Sequence, residues 1–306
     1  MANGPNRTKH IAVCICTFKR QEMLARLMTS LKGQENDGGF RLSVVVVDND
    51  REGSAEITAS KMGADRSLPV HYVIEPRQNI SLARNRALTS QEADYYACLD
   101  DDEFADKTWL LNLYRTIALS GADGVLGPVR PAYDRPPPTW LVHSKILERK
   151  EFPTGTVMTD PKSCRTGNVL FSREFIAAQD LLFDPRYGRT GGEDVDFFRR
   201  MIGLGCRFVW CNEAVVFEAT PPARQKRSFY LRRALLRGVV QSARAPLLSL
   251  DTLKSLGASA LYTLALPFAC VFHHRSFMPL LIRDLDHVGK ILARCGIKPI
   301  KSRRDT

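Results

Sequence analysis

What the chain lacks narrows its class first. Its eight cysteines include no C-x-x-C pair, and none of the six histidines stands at zinc-ligand spacing from a cysteine. Neither a paired-thiol redox motif nor a structural zinc site is therefore expected. Cys14 and Cys16 lie two apart inside an apolar run. Strand alternation points both to one face, where they read as small buried hydrophobes of a reduced, cytoplasmic protein. The opening segment Met1–His10 holds no apolar run, which argues against a secretory signal peptide. No internal repeat and no low-complexity tract interrupts the chain. Acid is missing from one long stretch: Ala219–Leu250 contains no Asp or Glu, yet carries Arg224, Lys226, Arg227, Arg232, Arg233, Arg237 and Arg244.

The 306 residues are enough to bury one large core, or one domain with an appendage. Their 44% hydrophobic and 25% charged content is that of a globular protein, and a net charge of +11 suits a polyanionic partner. Short β-rich runs (11–16, 42–47, 70–74, 95–99) alternate with helical patterns (21–32, 53–62, 81–92) through the first hundred residues. Alternating β and α elements predict a parallel, doubly wound sheet, whose ligands bind beyond the carboxyl ends of the strands. Two of the predicted strands run straight into carboxylates, Asp48 and Asp100. Further short strands are expected at 168–171 and 207–210, and a helix at 194–204.

Leu99-Asp-Asp-Asp-Glu103 gathers four carboxyl groups behind an apolar strand. So much like charge is costly unless a cation neutralises it. Mg²⁺ or Mn²⁺ bridging to diphosphate oxygens would do so, with Asp100 and Asp102 dividing the nucleotide and the metal between them. A solvated acidic turn is the alternative. An EF-hand is excluded, since the loop glycine and the distal glutamate are missing. Arg189-Thr-Gly-Gly-Glu-Asp-Val-Asp196 also reads two ways. Its acids complement a helix macrodipole, or Asp194 is a general base exposed on a glycine loop, with Glu193 and Asp196 able to hold an acceptor.

The motifs Cys16-Thr-Phe-Lys-Arg20, Val47-Asp-Asn-Asp50, Asn79-Ile-Ser-Leu-Ala-Arg-Asn85, Leu99-Asp-Asp-Asp-Glu-Phe104, Thr166-Gly-Asn-Val169 and Gly191-Gly-Glu-Asp194 follow one another in an order that resembles family 2 glycosyltransferases of the GT-A fold. The likeness covers about residues 10–240, and the segment Val216–Arg224 with Arg237-Gly238 is similar to exopolysaccharide-assembly members. The resemblance implies that Thr17, Asp48, Arg84 and Asp100 hold the uridine nucleotide and that Asp102 binds Mn²⁺ or Mg²⁺. It implies that Asp194 is the base of an inverting displacement, with Gly167, Asn168 and Glu193 at the sugars. Two departures stand out. The second motif lacks the common aspartate pair with Gly-Ser, and Glu218 occupies the place where many members have His.

Arg233 and Arg237 are one helical turn apart, and Lys226 and Tyr230 extend the stripe. Against a plain solvated face stands binding to acidic lipid or to a lipid-diphosphate acceptor; sparse aromatic interleaving disfavours nucleic acid. The uncharged run Ser255–Phe272, eighteen residues broken by Pro267, is short for a span and suits a buried or interfacial helix. The resulting expectation has three parts: a flexible N-terminus over 1–9, a GT-A catalytic domain over 10–222, and a basic and apolar helical region over 223–306 that associates with membrane. The activity expected is glucosyl transfer from UDP-glucose to a lipid-diphosphate-linked oligosaccharide in bacterial exopolysaccharide assembly. The place expected is the anionic cytoplasmic face of the inner membrane, held peripherally. Its rivals are a sugar nucleotidyltransferase, which ordinarily opens with a glycine-rich phosphate loop where Thr17-Phe-Lys-Arg20 stands, and a non-enzymatic basic scaffold.

Overall fold

A computed structural model describes residues 8–64, 67–178, 182–242, 246 and 249–297. Arg244, part of the basic stretch, and most of the expected flexible N-terminus lie outside the described residues.

The strands are β1 (Lys9–Thr17), β2 (Phe40–Asp48), β3 (Val70–Ile74), β4 (Tyr95–Asp100), β5 (Glu103–Ala105), β6 (Gly124–Leu126), β7 (Val129–Ala132), β8 (Val157–Met158), β9 (Val169–Ser172), β10 (Phe208–Trp210) and β11 (Val216–Ala219). The helices are α1 (Gln21–Lys32), α2 (Glu56–Gly63), α3 (Ile80–Thr89), α4 (Trp109–Ser120), α5 (Thr139–Ser144), α6 (Arg173–Ala178), α7 (Glu193–Gly203), α8 (Arg227–Ser242), α9 (Leu250–Phe272) and α10 (His274–Arg294).

One compact unit comprises the chain up to Ala132 together with Arg149–Ala219. Its main sheet has the order β3-β2-β1-β4-β9-β6-β10-β8. The first four of these strands are parallel neighbours, as the alternating pattern predicts, while β9 runs antiparallel to both β4 and β6. The β1 register sets Thr17 beside Asp48 and Cys16 beside Asp100, so the chemically suggestive residues of three strands emerge at one sheet edge. Strand alternation feeds two cores. Ile11, Val13 and Ile15 pack with Leu24, Leu27 and Trp109 on one face. Ala12, Cys14, Phe171 and Phe197 form the layer on the other, where Cys16 also packs. Both central thiols are thus small core groups, and all eight cysteines are free. A small second sheet, β5-β11-β7, continues from the acidic cluster.

The other compact unit comprises Tyr133–Glu148 and the chain from Thr220 onward. This division falls within three residues of the boundary expected at 222 and differs from the expected 10–222 domain in where it puts residues 133–148. Residues 133–148 belong with the later helices because α5 packs on α10. Glycines bring α8 and α10 into backbone contact: a Cβ at Gly238 would lie 2.1 Å from the Asp286 carbonyl oxygen, and one at Gly289 2.4 Å from that of Leu235. Helix α9 is longer than the uncharged run, because Ser249 caps it and Leu250–Lys254 join it. It is 23 residues with mean hydropathy 1.6, long and apolar enough to cross a membrane by length and composition, and only 11% of its apolar stretch is buried. Along most of that stretch α9 is therefore uncovered, unlike the buried alternative of the buried-or-interfacial expectation. Its hydroxyls turn inward, Ser259 and Thr263 both donating to the buried Asp284 carboxylate of α10, while Leu261, Leu264 and Phe268 stay exposed.

Candidate active site

Helix α3 places the central cation. Asn79 caps it by accepting a hydrogen bond from the Leu82 N–H and anchors it by donating to the Pro185 carbonyl. One turn later Arg84 enters the sheet edge, nine-tenths buried. Its Nη1 donates to Glu193 Oε1 (2.8 Å) and Asp194 Oδ1 (2.7 Å), and its Nη2 lies 3.3 Å from Asp100 Oδ1. Burial disfavours the guanidinium charge, but Asp194, Asp100 and Glu193 outweigh it and hold the pKa above the ordinary arginine value. Three of the expected site residues thus meet around one fork.

The Gly-Gly turn supplies two of them. Gly191 and Gly192 have φ of 82° and 95°, a left-handed backbone that glycine adopts without Cβ strain. The turn starts α7 at Glu193, so Glu193 and Asp194 stand in its first turn. Both readings of this segment are compatible here: the acids face a helix N-terminus and Asp194 also reaches the cleft with 21% of its side chain exposed. Asp196 does not join them. It is buried and pairs with Arg199 and Arg200, so it ties α7 together and is withdrawn as an acceptor ligand.

The acidic cluster divides along its length. Asp100 keeps 49% of its side-chain surface exposed. Burial of its surroundings pushes its carboxyl up to about 6, with Asp194, Asp102 and Asp101 adding and Arg84 opposing. Asp101 turns inward to take the Thr17 hydroxyl (2.9 Å) and the Arg20 guanidinium (2.7 Å). Arg20 also reaches Asp102 at 3.2 Å. Glu103 is 2% exposed and accepts the Asp100 N–H at 2.7 Å; burial, then the Asp100 charge, pushes its carboxyl well up. Gly167 fits beneath it, since a Cβ there would stand 2.5 Å from Glu103 Oε1. Among the described residues no three His, Cys, Asp or Glu side chains form a preset metal cage. Asp100 and Asp102 nevertheless offer hard oxygen donors of the kind Mg²⁺ and Mn²⁺ take, so the donor chemistry fits.

Two expected ligands are spent on architecture. Asp48 is fully buried; its Oδ1 accepts the Asp50 N–H, and its Oδ2 accepts the Ala55 N–H (2.6 Å) and the Tyr72 hydroxyl (3.0 Å). It shapes the loop after β2, and its contact with nucleotide stays a proposal. Asn168 is 1% exposed. Its Oδ1 accepts the Trp109 indole N–H (2.8 Å), and its Nδ2 donates to the carbonyls of Pro128 (2.9 Å) and Ala214 (2.8 Å). No polar group remains there for a sugar. Glu218 pairs with Arg149 and is thereby a structural partner. In the second unit Arg233 is exposed, whereas Arg237 pairs with Asp286 at 2.8 Å.

Sequence reasoning missed Arg20, Asp50 and Thr166. Asp50 Oδ2 is buried without a hydrogen bond, and Lys19 stands 3.8 Å away. Thr166 is buried and donates its hydroxyl to Asp194 Oδ1 at 2.7 Å. The Thr-Gly-Asn motif was a signal for the last of these, but motif spacing cannot say which of three adjacent side chains faces the cleft.

Comparison with known proteins gives the family and the fold. The family model "Glycosyl transferase family 2" matches residues 12–177, more than half of the chain. The chain belongs to glycosyltransferase family 2. It is 35% identical over 240 residues to the succinoglycan biosynthesis protein ExoM of Rhizobium meliloti, covering 76% of this chain and 74% of that protein. It is also 24% identical to the chondroitin synthase of Escherichia coli, over 71% of this chain but 36% of the synthase. Among solved structures, the mannosyltransferase PcManGT from Pyrobaculum calidifontis, with GDP-Man and Mn²⁺, superposes with TM-score 0.61 at 16% identity, covering 95% of this chain and 89% of that one. S. aureus TarS 1–349 with UDP does so with TM-score 0.55 at 16% identity, over 94% and 90%. At such identity these neighbours speak for the fold alone, and that fold is GT-A.

Proposed function

We propose that the protein is an inverting glucosyltransferase that moves glucose from UDP-glucose to a hydroxyl of a lipid-diphosphate-linked oligosaccharide during bacterial exopolysaccharide assembly. The observation that carries the reading is the Arg84 fork, which ties Asp100 at the end of β4 to Asp194 at the start of α7. A cation between a nucleotide-side carboxylate and a second carboxylate in the cleft suits a reaction that has a diphosphate leaving group and needs a base. Family membership and the ExoM likeness support the class and the pathway, and leave the nucleotidyltransferase and scaffold rivals without support.

In the proposed mechanism Asp194 takes the proton of the acceptor hydroxyl. The acceptor oxygen bonds to the anomeric carbon as that carbon's bond to the diphosphate oxygen breaks, and the electron pair leaves with UDP. Attack from the face opposite UDP inverts the configuration. Thr17, Arg20 and Arg84 order the nucleotide end, and Arg84 sets positive charge beside the departing diphosphate. Asp102, with Asp100, would hold Mn²⁺ or Mg²⁺, which when bound adds Lewis-acid charge at the diphosphate. Glu193 and Gly167 line the sugar side.

The second unit is assigned to the anionic cytoplasmic face of the inner membrane. Exposed Arg232 and Arg233 and the apolar outer side of α9 support that assignment. The test is UDP release from UDP-glucose by purified protein with membrane lipid extract and Mn²⁺, wild type beside Asp194→Asn. Loss of transfer in the variant with UDP binding retained is expected. Equal transfer in both would remove Asp194 as the base.

A further inference from the structure

Asp194 presents its two oxygens unequally. Oδ1 accepts two hydrogen bonds of 2.7 Å, one from Arg84 Nη1 and one from the Thr166 hydroxyl. Among the described residues no hydrogen bond is made to Oδ2. A carboxylate held by two donors at one oxygen cannot swing about its last torsion without breaking both, so its other oxygen is aimed. The two donors come from different elements, α3 and the segment before β9, and each is fixed independently. Arg84 is set by the capped helix and by Glu193 and Asp100. Thr166 is 1% exposed. Its position follows from its two neighbours: Gly167 is pressed against the Glu103 carboxyl, where even a methyl group would collide, and Asn168 is clamped by Trp109, Pro128 and Ala214.

We propose that Thr166 is a positioning residue for the transfer reaction: with Arg84 it occupies Asp194 Oδ1, so that Oδ2 is the oxygen that receives the acceptor proton. The inference rests on Asp194 as the base and deepens that reading. It also gives the Thr166-Gly-Asn168 motif a shared purpose, in which the glycine and asparagine place the threonine. Thr166 contributes no charge and no proton to the chemistry. It acts through orientation, which governs how often a bound acceptor hydroxyl meets an aligned base.

The test pairs Thr166→Val, which keeps the shape and removes the donor, with Thr166→Ser, which keeps the donor and removes the methyl. Transfer is followed as UDP release from UDP-glucose with membrane lipid extract, and folding is checked by UDP affinity. A hydrogen bond to a charged group corresponds to a factor of about 10 to 100 in rate. Thr166→Val is therefore expected to lose that factor in kcat, with KM for UDP-glucose and UDP affinity within about twofold of wild type. Thr166→Ser is expected to return kcat to within about threefold. The proposal is overturned by a Thr166→Val kcat within about twofold of wild type, by equal losses in both variants, or by a loss of UDP affinity that matches the loss of rate. Should the valine variant unfold, a slow but UDP-binding Thr166→Ala beside an active Thr166→Ser supports the positioning role in its place, and a fully active Thr166→Ala overturns it. An inactive Asp194→Asn beside a fully active Thr166→Val removes Thr166 alone. A fully active Asp194→Asn removes the base assignment and the positioning role with it.

Discussion

Asn168→Ala separates an architectural residue from a sugar ligand. Its carboxamide carries three hydrogen bonds at 2.8–2.9 Å and is 1% exposed. Truncation leaves the Trp109 indole N–H and the Ala214 carbonyl buried without these partners, each costing about 1–3 kcal/mol, while the Pro128 carbonyl keeps the Val216 N–H. Partial relaxation and water entry at the new void offset some of this, so a net loss of about 2–4 kcal/mol is expected. For a domain of this size such a loss lowers Tm by roughly 10 °C. Differential scanning calorimetry of wild type and variant, each with and without saturating UDP, reads it. UDP affinity measured well below the transition is expected to stay near wild type, because Asn168 contacts no group of the nucleotide end. A variant that melts within about 1 kcal/mol of wild type yet loses glucosyl transfer would refute the architectural role. It would return Asn168 to the substrate.

Asp100→Asn tests the strain in the acidic cluster. The carboxyl is raised from 3.8 to about 6 in the folded protein, so its contribution favours folding below pH 3.8 and is lost as pH rises through 6. With 49% of the side chain exposed, solvent screening reduces the effect to about 1 kcal/mol. The metal-free variant is therefore expected to melt a few degrees above wild type at pH 7.5 and together with it at pH 4, while losing transfer; equal melting at both pH values would contradict this. For the second unit, charge neutralisation by Arg232→Gln with Arg233→Gln is expected to weaken binding to anionic vesicles about 30-fold, at about 1 kcal/mol per residue, with binding to neutral vesicles unaffected. A sedimentation assay that finds equal binding of wild type and variant to anionic vesicles would remove the membrane assignment from α8.

Local physics carries far in this protein. Apolar runs, their periods and their caps were enough to place the first four strands within a few residues and to set α1 at Gln21–Lys32, because burial demands were uniform along each element. The same runs showed that Asp48 and Asp100 close strands, while Asp102 was named from the acidic cluster and Asp194 from the Gly-Gly turn that opens a helix. Tertiary structure decided how those residues divide the work. Asp48 and Asp100 look alike in sequence, each closing a β-strand, but Asp48 meets two backbone N–H groups and a tyrosine, while Asp100 meets an arginine and solvent. Thr166, Gly167 and Asn168 are consecutive, yet only the threonine side chain meets the base, since Gly167 lies against the Glu103 carboxyl and Asn168 is held by Trp109, Pro128 and Ala214. The inward aim of Ser259 and Thr263 on α9 and the membership of 133–148 in the second unit were equally invisible. Each depends on contacts between residues far apart in the chain. Residue type and spacing say which groups are present; which partner satisfies each group is settled only when distant segments compete for the same hydrogen bonds.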